Sequence, residues 1–95
     1  MKSNYEILSE EAKEKVDRLN ELRFRYFENQ RKSIAIGNEI PLDVDKLQIL
    51  SSDLKKARSE ISDMRDYLMN LTTLSKKLLN ESEYTILKFL IEFNL

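Results

Sequence analysis

Between Leu47 and Leu78 apolar side chains return at alternating steps of three and four: Leu47, Leu50, Leu54, Ala57, Ile61, Met64, Leu68, Leu71, Ser75 and Leu78. Set in heptads with Leu47 at position a, nine of these ten a and d sites are apolar, which is the seam of a coiled coil. A helix over residues 44–80 would be ~54 Å long at 1.5 Å per residue, a length best matched by another helix lying beside it. Upstream, Val16, Leu19, Leu22 and Tyr26 follow Ala12 at steps of four, three, three and four, and share one face of a helix spanning about residues 4–36. This first helix has two candidate starts. Ser3 with Glu6 has capping-box spacing, and Ser9-Glu10-Glu11 places two carboxylates where the helix dipole favours them.

The only strong punctuation is Gly37 to Asp43. Gly37 suits a left-handed residue closing the first helix, and Pro41 lies where it cannot continue one. Asp43 reads as the N-cap of the second helix, with Leu42 and Leu47 at the spacing of a hydrophobic staple. So short a link makes the two helices antiparallel. Asn80-Glu81-Ser82-Glu83 is expected to break the second helix, with Ser82 as the next N-cap. The segment from Tyr84 to Leu95 fits a short helix over about 83–94 with a polar stripe at Glu81, Thr85, Lys88 and Glu92. It also alternates at Leu87, Phe89, Ile91, Phe93 and Leu95 as a strand would, and the helical setting favours the helix. The predicted fold is all-α: one domain over residues 1–95, an antiparallel, coiled-coil-like helical hairpin with a short C-terminal helix.

Composition narrows the chemistry. The 95 residues include no His and no Cys, which removes imidazole general bases, Cys-His nucleophile systems, disulfides and ordinary Cys/His zinc sites. Cytoplasmic residence is the default expectation for such a chain, and no cofactor is implied. Carboxylates are the only candidate metal or catalytic groups: Glu10 with Glu14 at i, i+4, and Asp43 with Asp45 beside the turn. Neither has the ligand number or loop of an EF-hand, acidic groups at helix starts more often act as caps, and no enzyme activity is expected.

Sixteen Lys and Arg oppose seventeen Asp and Glu, so no net charge draws the chain to nucleic acid or to an anionic membrane. Residues 23–32 interleave Arg23, Arg25, Arg31 and Lys32 with Phe24, Tyr26 and Phe27, in the manner of single-strand binders. Tyr26 belongs to the buried face, however, and Glu21 and Glu28 offset the cations, so a nucleic-acid-binding regulator is the second reading. The C-terminal apolar run is too short to span a bilayer.

What the seam leaves over carries the leading reading. Phe24 and Phe27 lie off the first helix's apolar stripe, and the C-terminal run is apolar over too wide an arc for one neighbour. Either the C-terminal segment folds over Phe24 and Phe27 as a three-helix core, or these groups meet another chain. The second option makes the chain a non-enzymatic association module. It would be a small homodimer or homo-oligomer acting as adaptor, chaperone or regulator, with Phe24, Phe27, Tyr84, Leu87, Phe89, Leu90 and Phe93 facing the partner.

Two outline resemblances exist. Leu50-Ser51-Ser52-Asp53-Leu54 resembles the second helix of the small sporulation aspartyl-phosphate phosphatases, but Lys55 stands where that family's motif has its Asp, so the activity does not carry over. The stretch from Pro41 to Leu79 is similar to the hairpin of type III secretion needle and inner-rod subunits. That resemblance implies a third reading, a subunit of a self-assembling secretion or phage-like structure, against which the charged first helix and the apolar tail both count.

Overall fold

The computed structural model describes all residues from Met1 to Leu95. It is all-α, with α1 over Asn4–Gly37, α2 over Val44–Leu78 and α3 over Glu81–Asn94. The two long helices pack against each other as a hairpin. Ser3 starts α1, its Oγ accepting from the Glu6 backbone N–H at 3.2 Å, and the helix runs without a break through Ser9. Asp43 caps α2 as expected: its Oδ1 accepts from the Lys46 N–H at 3.0 Å, and its carbonyl from that of Leu47 at 3.2 Å.

Two caps differ from the expectation. Gly37 does not take the left-handed conformation, since no residue has positive φ. The end of α1 tightens instead into i→i−3 bonds, from Asn38 N–H to the Ala35 carbonyl and from Glu39 N–H to that of Ile36. Those bonds satisfy the last carbonyls without a reversal of φ, so the glycine is not needed for its freedom. The N-cap of α3 is Asn80, not Ser82. Its Oδ1 accepts from the Glu83 N–H at 2.9 Å while the Glu83 carboxylate accepts from the Asn80 N–H at 3.4 Å. An amide and a carboxylate three residues apart close a full capping box, which Ser82 has no counterpart to make. The C-terminal segment is helix rather than strand, and α2 ends at Leu78.

The chain divides into two compact units. The first holds Met1–Leu19 and Asp63–Leu95: the start of α1, the end of α2 and all of α3. Its core is Leu8, Ala12, Val16 and Leu19 from α1, Leu68, Leu71 and Ser75 from α2, and Leu87 and Ile91 from α3, all buried. Ser75, the polar member of the seam, is fully buried, and its hydroxyl donates to the Leu71 carbonyl at 2.7 Å. No hydrogen-bonding capacity is stranded by placing it there.

The second unit, Asn20–Ser62, contains the rest of α1, the turn with its cis Ile40–Pro41 bond, and the start of α2. Here only Leu22 is buried. The seam residues Leu47, Leu50, Leu54, Ala57 and Ile61 are half-buried, as are Tyr26, Asn29, Ser33 and Ile36 of α1. Two helices can shelter only a narrow stripe of each other, and a third element supplies the remaining cover in the first unit alone.

Two outcomes follow from this uneven core. Leu68→Ala removes a fully buried side chain and should cost ~3 kcal/mol in chemical denaturation, whereas Leu54→Ala, already half wet, should cost about 1 kcal/mol. A Cβ added at Gly37 meets nothing within 4 Å, so Gly37→Ala should stabilise the chain by about 0.5 kcal/mol, read from the same unfolding curves.

Candidate interaction surfaces

In the first unit, α3 turns Leu87 and Ile91 inward and Ile86, Phe89 and Phe93 outward, the last three at 58%, 70% and 79% exposure. The Phe89 and Phe93 rings stack with centroids 6.0 Å apart, one turn from each other. Beside them Tyr5, Ser9 and Lys13 of α1 and Leu90 of α3 complete an apolar groove between the two helices. Leu87 also lines this groove. At 1% exposure it is part of the chain's own core, because the inward stripe of α3 runs through Leu87 and Ile91. Tyr84 and Leu90 are half-buried at the edges of that stripe.

In the second unit Phe24, Phe27 and Ile34 stand on α1 at 63%, 58% and 67% exposure. Phe24 and Phe27 are thus left uncovered, and α3 belongs to the first unit. Nearer the turn, Ala35, Ile36, Ile49 and Leu50 wall an apolar hollow flanked by Lys32 and Lys46. Ile34 and Ile86 escaped the sequence reading although their spacing marks them. Ile34 lies seven residues after Phe27, and Ile86 lies three before Phe89 and seven before Phe93.

Polar contacts tie the long helices together within each unit. In the second, the Arg58 guanidinium lies 5.8 Å from the Tyr26 ring centre and donates to its hydroxyl at 2.8 Å, a hydrogen bond that raises the Arg58 pKa above its ordinary value. In the first, the Tyr67 hydroxyl donates to Glu11 at 2.5 Å while Lys15 lies over the Tyr67 ring. That hydrogen bond to a carboxylate, then partial burial, raises the Tyr67 pKa above its ordinary value.

The basic residues are not gathered on one face. At 100° per residue Arg25 and Lys32 share a side of α1, and Arg31 falls on the side of Phe24. Arg25 is paired with Glu21 at 2.7 Å, and Arg23 is half-buried and bonded to Asn20 at 3.5 Å. The carboxylates are dispersed as well. Glu10 is taken up by Lys2 at 2.7 Å, Glu14 lies 4.0 Å from Lys15, Asp43 serves as a cap, and no three acidic groups converge. No helix is long and apolar enough to cross a membrane.

The raised Tyr67 pKa fixes a pH dependence. A phenol that keeps its proton better when folded contributes stability fully below its unfolded pKa of about 10, and loses it as pH rises through the higher folded value. Tyr67→Phe should thus lower stability by at most about 1 kcal/mol at pH 8, the bond being largely solvated. The gap to the parent chain should narrow as pH rises past the ordinary phenol range of about 10 and through the higher folded value, measured by denaturant unfolding of both at each pH.

Comparison with family models, with curated proteins and with solved structures finds no match to this chain.

Proposed function

We propose that this chain is a non-enzymatic protein-association module of the cytoplasm, acting as a homodimer or small homo-oligomer in an adaptor, chaperone or regulatory role. The observation that carries this reading is the exposure of aromatic side chains in pairs, Phe24 with Phe27 on α1 and Phe89 with Phe93 on α3. Single exposed apolar residues are ordinary on protein surfaces, but paired rings at helical spacing beside further apolar groups form continuous patches, which mark interaction sites. Each exposed ring offers of the order of 100 Å² to a partner, and aromatic groups dominate the energetics of such contacts.

Light scattering on the chain eluting from a size-exclusion column at tens of micromolar is expected to give at least twice the chain mass. Substituting all four phenylalanines by Asp should return it to the single-chain mass with unchanged helicity by circular dichroism. A parent chain that elutes at single-chain mass, and recovers no protein when used as bait, would end this reading.

A further inference from the structure

The hairpin uses one stripe of α1. About 160° around the same helix lies a second stripe at heptad spacing, Phe24, Phe27, Arg31 and Ile34, confined to an arc of about 80°. All four belong to the second unit, so the stripe is a property of one continuous helix. Its three apolar members are exposed although they repeat the three-four spacing that α1 buries elsewhere.

We infer that a second copy of this chain covers that stripe, α1 lying antiparallel to its counterpart about a twofold axis near Asn29. The inference rests on the self-association reading above and assigns it a face and a direction. In antiparallel pairing about residue 29, positions whose numbers add to 58 lie opposite one another. Phe24 then meets Ile34 of the partner subunit, and Phe27 meets Arg31 of the partner subunit, with both contacts repeated by symmetry. One short stripe supplies both halves of the match, which is what a twofold interface requires.

Charge sets the direction. Glu28 and Arg31 lie exposed on this side of α1, and neither side chain has an ion-pair partner within the chain. In the antiparallel arrangement Glu28 comes within a residue of the position opposite Arg31 of the partner subunit, and that guanidinium also lies over the Phe27 ring. A parallel arrangement would set Arg31 against Arg31 of the partner subunit and align the two helix dipoles. Covering Phe24, Phe27 and Ile34 removes about 350 Å² per chain, a little under half of what one partner contributes to a standard interface. The flanking stems add to that area, and the dimer belongs at the weaker end of specific ones.

The chain has no Cys, so single cysteines introduced for spin labels report without interference. Labels at Gln30→Cys should sit about 3 Å apart along the helix axes and labels at Glu21→Cys about 24 Å apart, each with a further 8–10 Å between axes. Equal short separations at both sites would show parallel helices and overturn the inference. Phe24→Asp, which sets a carboxylate against Ile34 of the partner subunit, should give the single-chain mass with helicity retained, while Phe89→Asp remains a dimer. Glu28→Arg and Arg31→Glu should each weaken the dimer about tenfold, and the double exchange should restore it, a result that loss of folding cannot imitate. A dimer that survives Phe24→Asp, or is lost only with Phe89→Asp, overturns the face assigned here and leaves the association reading standing. A parent chain that elutes at single-chain mass at hundreds of micromolar overturns this inference outright, and the association reading then stands or falls on recovery of another protein.

Discussion

The seam between α1 and α2 governs the rest of the structure, because a helix can hide only the stripe its neighbours reach. On α2 that stripe is apolar from Leu47 to Leu71, about seven turns, but on α1 it changes character. From Leu8 to Leu22 it is built of residues that want to leave water, and beyond Tyr26 it passes through Asn29 and Ser33 before ending at Ile36. Where both faces are apolar and α3 adds Leu87 and Ile91, the core closes. Where α1 offers an amide and a hydroxyl, the leucines opposite stay half in water, and stability in that unit rests on few buried atoms.

The exposed apolar patches arise from the same limitation. Phe24, Phe27 and Ile34 cannot turn inward because the heptad phase of α1 is already set by Leu19, Leu22 and Tyr26, and one helix cannot present two opposed stripes to one neighbour. On α3 the reasoning is similar. Leu87 and Ile91 take the inward positions, and the fixed angle between successive residues then forces Ile86, Phe89 and Phe93 outward. Apolar surface left over in this way is costly to keep wet, and its retention is the physical argument for a partner.

The seam of α2 was fully legible, since hydrophobic period is the most robust local signal a helix carries and residues 47–75 all fall where it puts them. Leu78 keeps the period but ends exposed at the last turn. The second half of α1's stripe was not legible, because Asn29 and Ser33 hold seam positions without apolar side chains. The caps were read half correctly. Asp43 was unambiguous, while Asn80 and Ser82 are both good caps, and the choice depended on a reciprocal bond from Glu83 that spacing alone allows but does not select. The leftover apolar residues divide the same way. Phe24, Phe27, Phe89 and Phe93 are exposed as the leftover reasoning required, whereas the burial of Leu87 depended on which way α3 would face.

The division of the core also bears on how the chain folds. The well-packed unit joins the beginning of α1 to the end of α2 and to α3, so the contacts that α1 makes there close loops of about fifty residues, while the thinly packed unit is the local hairpin around the turn. Contacts near in sequence form fast but hold little here, and those that hold must wait for distant segments to meet. The turn can therefore form early without committing the chain, and α3, last in sequence, completes the cluster that makes the rest persist.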